Sequence, residues 1–348
     1  MRLGIIGMPQ SGKSTIFAAL TGARGEEREG KPSRSDQRVG TVRVEDERVD
    51  DLKEIFKPKK TTYAQVEYIL PSEKTTTTPS KSENAMWNQV RICDAFIHVA
   101  RNFQHSGGIP PAPEADFWHL EEEMILNDLL VADKRIERIE LDNKRGKKPD
   151  EEEYSLIKSS KVLLEKSRPI RLYSELASAP ALRGFTFLSA KPQLLIINND
   201  DEDEEVPDWK LKPEKIEIMV VRGRLEMEIT SMAPEESEEF KVAYHIEKSV
   251  LDRVIKSSYD LLNLISFFTV LNEEVRAWTI TEGTPALEAA GTVHSDMKKG
   301  FIRAEVLSFE LLKEYGSFHE AKKAGQVRLE GKEYRVQDGD IINFRFNI

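Results

Sequence analysis

Residues Gly7-Met8-Pro9-Gln10-Ser11-Gly12-Lys13-Ser14 follow the spacing G-x-x-x-x-G-K-S, with Thr15 next in line. That spacing builds a phosphate-binding loop. The two glycines let the backbone curl until successive N–H groups point inward at an anion. A helix starting at the second glycine adds the positive end of its dipole. Lys13 is expected to reach the β- and γ-phosphates of a nucleoside triphosphate, ATP or GTP, and the Ser14 hydroxyl to hold Mg²⁺. The candidate phosphate set is therefore Gly7, Pro9, Gln10, Ser11, Gly12, Lys13, Ser14 and Thr15, with Ser14 as the metal ligand. A chance glycine turn beside a lysine would lack flanking elements. Here residues 3–6 predict a strand leading in and residues 15–20 a helix leading out.

The elements that position this loop are legible as near-continuous apolar runs. Those at 3–6, 40–44, 65–70, 95–100, 194–198 and 216–221 predict strands of a sheet covered on both faces. Helical patterns between several of them predict an α/β sheet with helical crossovers, which places a ligand at the carboxyl ends of the strands. A long insertion interrupts the sheet. From 114 to about 141, apolar residues return at three- and four-residue steps: Leu120, Met124, Leu126, Leu129, Leu130, Ile136 and Ile139. A polar turn at 143–149 and a second helical stretch at 151–168 complete an antiparallel helical hairpin. Its basic tip, Lys144, Arg145, Lys147 and Lys148, reads first as a solvated turn and second as a contact for RNA phosphates. The acidic run 200–205 reads as a solvated loop, and 240–264 as a long amphipathic helix. Beyond it, 267–271 and 275–280 form a hairpin, and 326–329, 334–336 and 341–346 are further short strands. The expected domains are a nucleotide-binding domain at 1–113 and 185–264, the hairpin at 114–184 and a mostly β domain at 265–348.

Bulk properties exclude several classes. The 348 residues suffice for two or three domains, with 39% hydrophobic content to fill their cores. No apolar stretch approaches the roughly 18 residues of a spanning helix, so no membrane is expected as a partner. The first strand pattern starts at once after Met1, and no signal peptide is expected. Cys93 is the only cysteine, which rules out an intrachain disulfide and a cysteine-based zinc site. These points indicate the cytoplasm. A net charge of −10 argues against broad DNA binding, and no sequence-specific DNA partner is expected. A local basic patch on an RNA-associated protein stays compatible with it.

Several stretches together resemble the YchF/Obg-like ATPases, an Obg-related branch of the P-loop GTPases. The phosphate loop fits, as do Val49-Asp50-Asp51-Leu52, Ile97-His98-Val99-Ala100-Arg101 and Ala190-Lys191-Pro192. The most specific stretches are C-terminal: Glu274-Val275-Arg276-Ala277-Trp278-Thr279-Ile280, Ala289-Ala290-Gly291-Thr292-Val293-His294-Ser295-Asp296, Lys299-Gly300-Phe301-Ile302 and Val336-Gln337-Asp338-Gly339-Asp340-Ile341-Ile342. The resemblance implies a P-loop NTPase sheet, an inserted helical hairpin and a C-terminal β-grasp (TGS) domain. It also implies a slow ATPase associated with the ribosome.

The chain departs from the family pattern around the switches. Where the family has Asp-x-x-Gly after the third long strand, this chain has Leu70-Pro71-Ser72-Glu73. Leucine cannot bind a metal, and Glu73 would either bring negative charge near the γ-phosphate or point away from it. The expected first-switch Thr falls at Arg34, and residues 74–81 form a short polar second switch. Glu67 is expected to face away from the site by strand alternation. For base recognition, an ungapped match gives Asn199-Asp200-Asp201-Glu202, with Asn199 on the purine edge and Glu202 as the displaced carboxylate that relaxes guanine selectivity. A one-residue shift reads Asn198 and Asp201 and favours guanine again; the family match prefers the first register. A further base-contacting loop falls near Arg222-Gly223. The family's mobile-loop His, implied to assist hydrolysis, corresponds to His105, while His98 reads as structural and His294 as structural or partner-contacting.

The leading expectation is a cytoplasmic nucleotide-binding protein that favours ATP over GTP and hydrolyses it weakly. The alternative is a hydrolysis-deficient pseudo-GTPase scaffold acting through TGS and hairpin contacts with ribosome or RNA. A small-molecule kinase fits less well, because no arginine-rich lid is evident.

Overall fold

The structure, a computed structural model, describes residues 1–22, 26–27, 37–72, 86–104, 108–243, 249–271 and 273–347. Among them the strands are, in chain order, β1 (Arg2–Gly7), β2 (Glu26–Glu27), β3 (Arg38–Arg43), β4 (Lys60–Thr62), β5 (Gln65–Leu70), β6 (Ala95–Asn102), β7 (Gln193–Asn199), β8 (Glu217–Val221), β9 (Leu264–Leu271), β10 (Glu274–Thr281), β11 (Phe301–Ser308), β12 (Arg328–Glu330) and β13 (Asp340–Phe346). The fold is α/β with two sheets. The chain divides into two compact units: Met1–Val42 with Glu67–Val254, and Arg43–Val66 with Ile255–Ile348.

The first unit is built on a seven-stranded sheet of order β2-β3-β5-β1-β6-β7-β8. β1 runs parallel to both β5 and β6, and β7 runs parallel to β6 and β8. Leu3, Ile5, Ile6, Val99, Leu195 and Ile197 are fully buried, as runs of branched apolar residues must be when helices cover both faces. The six strand expectations correspond to β1, β3, β5, β6, β7 and β8. The carboxyl ends of β1, β5, β6, β7 and β8, all parallel, gather along one edge, where the phosphate loop follows β1.

The helical insertion forms from Pro113–Lys144 and Glu151–Leu164. Pro113 starts the first helix, where its missing N–H costs nothing. Asp150 caps the second by accepting from the amides of Glu152 and Glu153. Ile125, Ala132, Ile136, Ile157 and Leu164 share one apolar seam. Leu120 and Met124, nearer the root, pack with Ile6, Phe96 and Leu188 of the sheet layer. Leu126 and Leu130 belong to the sequence pattern but lie on the outer face, 56% and 50% exposed. A seam between two helices buries a narrower stripe than the periodicity alone suggests. The long helix expected at 240–264 differs too: the described helices are Pro234–Ala243 and Val250–Asp260, and β9 already begins at Leu264.

The second unit carries a six-stranded sheet of order β12-β11-β13-β9-β10-β4. Its core gathers Phe267, Ala289, Val306, Ile342 and Phe344. β11 is a strand that the hydrophobic pattern did not single out. Residues 334–336, expected as a strand, contribute only an isolated bridge from Arg335 to Pro285. The unit also begins before residue 265 and captures the segment 43–66, which the sequence reading placed with the nucleotide-binding domain. Two contacts account for the capture. β4 extends the sheet in parallel along β10, with Lys60 opposite Glu274 and Thr62 opposite Arg276. The helix Glu47–Phe56 is held by Arg48, whose Nη1 lies 2.7 Å from the Asp338 carboxylate and whose Nη2 lies 2.8 Å from that of Asp46.

Arg48→Ala is expected to destabilise the second unit by about 1–2 kcal/mol, because the two carboxylates lose a partly buried fork of donors. Arg48→Lys should recover less than half of this, since an ammonium cannot serve both carboxylates in the same plane. Thermal melts followed by near-UV circular dichroism check both variants.

Candidate nucleotide-binding site

The site grows from the end of β1. Ile16, Phe17 and Leu20 bury one face of the helix Lys13–Thr21 and so fix where it starts. Gly12 sits before its first turn in the left-handed region, with φ of 91°. Among the described residues no side chain caps this helix, so its first amides remain available to an anion. Within the loop, the Ser11 amide donates to Met8 O at 3.2 Å, and Gln10 also takes a positive φ of 62°. Lys13 folds back over the loop: its Nζ donates to Gly7 O at 2.9 Å and Met8 O at 2.7 Å, and the side chain is buried. The ammonium is thus already held at the rim of the cradle. The Ser11 hydroxyl is buried with no hydrogen-bond partner among the described residues. Pro9, Gln10 and Ser14 are exposed around the mouth, and Thr15 is half-buried.

Asn198 and Asn199 close β7, and strand alternation sends them to opposite faces. Asn198 turns toward the phosphate loop. Its Nδ2 donates to Ser11 O at 3.1 Å, and its Oδ1 accepts the Gly223 amide at 3.0 Å. Gly12 and Gly223 both yield to it: a Cβ at Gly12 would stand 2.1 Å from Asn198 Nδ2, and one at Gly223 would stand 2.8 Å from its Oδ1. Asn199 turns away. Its Nδ2 donates to Asp203 O at 3.1 Å and Glu205 O at 2.8 Å, and its Oδ1 accepts from Asn102. This departs from the preferred sequence register. Asn198, not Asn199, is joined to the phosphate loop, and three residues on stands Asp201 rather than Glu202, which is exposed. The acidic run is also an organised turn, with Arg222 donating to Asp201 O at 3.3 Å and pairing with Glu204 at 2.8 Å.

The loop after β6 leans on this turn. The Gln104 amide donates to Asp200 Oδ2 at 3.1 Å, and Arg101 holds the carbonyls of Phe103, Ile109 and Pro110. His105 lies outside the described residues, as do Arg34, Glu73 and the second-switch segment 74–81. Phe103 reaches the cradle, with a ring carbon 3.6 Å from where a Gly12 Cβ would sit. Leu70 is buried at the end of β5. Glu67 pairs with Arg2 at 2.8 Å, at the opposite end of β1 from the loop. His98 is wholly buried beside the Phe117 ring, and burial pushes its pKa down to about 3, so it carries no charge at neutral pH. In the second unit, His294 Nδ1 accepts the Asp296 amide and caps the helix Ser295–Lys299. Lys144, Arg145, Lys147 and Lys148 are all exposed.

A family profile described as "YchF-GTPase_C: Protein of unknown function (DUF933)" matches residues 264–347. "Ribosome-binding ATPase YchF" of Bacillus subtilis (strain 168) is 36% identical over 366 residues, which cover 99% of each chain. The protein of the same name from Escherichia coli O157:H7 is 35% identical over 364 residues, covering 100% of this chain and 99% of its own. "Obg-like ATPase 1" of Pongo abelii is 32% identical over 370 residues, covering 100% and 92%. Among solved structures, that of the Schizosaccharomyces pombe YchF GTPase superposes with a TM-score of 0.82 at 26% identity, covering 99% of this chain and 97% of the other.

Proposed function

Because this chain belongs to the YchF/Obg-like ATPase family, we propose that it binds a nucleoside triphosphate in the cradle of residues 7–15, hydrolyses it slowly, and associates with the ribosome in the cytoplasm. The carrying observation is Lys13, whose Nζ already lies against Gly7 O and Met8 O at the rim of a loop with uncapped helix amides behind it. An incoming β- or γ-phosphate oxygen accepts from that ammonium and from the loop N–H groups.

The residues present suit Mg²⁺. Magnesium keeps several waters and takes only one or two protein ligands beside the phosphates. The exposed Ser14 hydroxyl supplies one such ligand at the mouth of the loop. Held there, Mg²⁺ would supply neutralisation of the negative charge on the phosphates. No second protein ligand comes from β5, because Leu70 ends it, and this supports slow rather than fast turnover. Lys13 holds the phosphates, the loop amides orient them, and Asn198 keeps loop and base turn in register.

What favours this reading over a scaffold without hydrolysis is that relatives bearing ATPase names match along essentially the whole chain. Their names also support a ribosomal partner, with the exposed basic hairpin tip as the candidate contact for RNA. Lys13→Ala is expected to weaken triphosphate binding at least 100-fold by calorimetry and to remove phosphate release above background. Unchanged affinity in that variant would reject the site. Co-sedimentation of the purified chain with ribosomes, with and without nucleotide, tests the partner. Among the described residues, no helix is long and apolar enough to cross a membrane.

A further inference from the structure

We propose that a cleft at the opposite end of the first sheet from the phosphate loop binds a small organic acid, its carboxylate on Lys191 and Arg183 and its apolar body against Leu182 and Phe187. The inference goes beyond the nucleotide reading and does not depend on it.

The stretch Ala190-Lys191-Pro192 leads into β7 and has no part in the nucleotide cradle. β6 and β7 run parallel, so their amino ends lie side by side, away from the cradle. Asp94 stands just before β6 and Pro192 just before β7. Both line a cleft of about 220 Å³. Its other wall comes from the short helices Ser174–Ala177 and Pro180–Phe185, which bring the chain back from the hairpin to the sheet.

The apolar part of the lining includes Leu176, Ala177, Leu182, Phe187 and Pro192. Leu176, Leu182 and Phe187 share a buried cluster with Ile157 and Leu164 of the second hairpin helix, which fixes this wall. The polar part is mainly cationic. Lys191 is half-buried; its Nζ donates to Cys93 O, and no other hydrogen-bond acceptor meets it among the described residues. An ammonium carries three donors, so two remain. Burial pushes the Lys191 pKa below the usual lysine range, and an arriving anion offsets that cost. Arg183 is exposed at the rim, and its guanidinium has no carboxylate partner among the described residues. Arg91 adds a further cation at the rim, donating to Thr186 O at 3.3 Å. The one acid in the lining is Asp94, whose Oδ2 already accepts the Arg2 amide at 2.8 Å. In a chain of net charge −10, this cleft is a local positive site.

That lining selects the ligand. A neutral apolar molecule leaves the desolvated ammonium uncompensated, and a bare inorganic anion leaves the apolar walls facing water. A carboxylate accepts from the ammonium and, with two parallel oxygens, from the guanidinium. The cleft lies below the roughly 300–1,000 Å³ of pockets for drug-sized ligands, so the acid is small.

Benzoate is the probe, titrated into the full chain by calorimetry and by saturation-transfer NMR. Benzamide serves as its uncharged isostere, and inorganic phosphate as an anion without an apolar body. Benzoate is expected to bind at about 1 mM or tighter, at least about tenfold more tightly than either control. Arg183→Gln removes a charged donor from the exposed rim, and Ala177→Leu fills the cleft without touching a charge. Each should weaken benzoate at least about fivefold, with an unchanged near-UV circular dichroism spectrum to exclude misfolding. Benzamide or phosphate binding as tightly as benzoate, no saturable binding of benzoate, or benzoate affinity unaltered in both variants overturns the proposal. None of these outcomes touches the nucleotide cradle, which Lys13→Ala tests separately.

Discussion

Gly12→Ala is expected to lower triphosphate affinity by at least two orders of magnitude, about 3 kcal/mol. It should also lower the stability of the first unit, although the change adds only one methyl group. Two causes act at the same atom. Gly12 holds φ at 91°, where a Cβ is strained by roughly 1 kcal/mol. The added carbon would also stand 2.1 Å from Asn198 Nδ2, well inside contact distance. The backbone there is pinned, since Gly12 O accepts the Ile16 amide at 2.9 Å. Relief must come from Asn198, which is itself buried and tied at both ends of its amide. Swinging it out strands Ser11 O and the Gly223 amide and frees the phosphate loop from the turn after β7 together. The double variant Gly12→Ala with Asn198→Ala discriminates the causes. If the clash dominates, the two losses add to much less than their sum; if backbone strain dominates, they add. Calorimetric affinities of the four proteins decide between them.

The same contact explains what the sequence could and could not say. Residues 7–15 were readable because a phosphate loop is local: glycines, lysine and serine stand at fixed offsets between a strand and a helix. The central strands were readable because branched apolar runs have few other uses. The turn after β7 was harder, because two adjacent asparagines offer two registers one residue apart. A signal did exist. Leu195 and Ile197 share the core with Phe117 and Trp209, so Asn199, next in that alternation, follows them to their face. That leaves Asn198 for the face of the helix Lys13–Thr21. The segment 43–66 was not readable as part of the C-terminal unit. β4 is three residues long, and the contacts that recruit it and its helix are more than two hundred residues distant along the chain. Local pattern carries no trace of such a pairing.

Asp128→Ala is expected to destabilise the first unit by about 3 kcal/mol, a fall of roughly 6–12 °C in melting temperature for a unit of this size. Asp128 lies on the long hairpin helix, fully buried, and accepts the amides of Leu188 at 2.9 Å and Ser189 at 2.7 Å. Those amides precede β7, so one carboxylate fastens the root of the insertion to the sheet that carries Asn198. Alanine leaves both donors buried and unpaired. Asparagine keeps one acceptor but turns its NH₂ toward the other amide, and should cost nearly as much. Burial, outweighing these amides and Arg91 at 3.7 Å, pushes the Asp128 carboxyl up to about 6. The unfolded chain releases the same proton near pH 4. Between about pH 4 and 6 the folded protein therefore holds more protons, and the stability from this group is lost as pH rises through that window. Acidification from pH 7 to 5 returns about 1 kcal/mol to the wild-type chain and nothing to Asp128→Ala. The gap between their melting temperatures should therefore widen at pH 5. A gap that narrows would show that the two amides, rather than burial, govern this carboxylate, and that the hairpin root is held by an ordinary ionised cap.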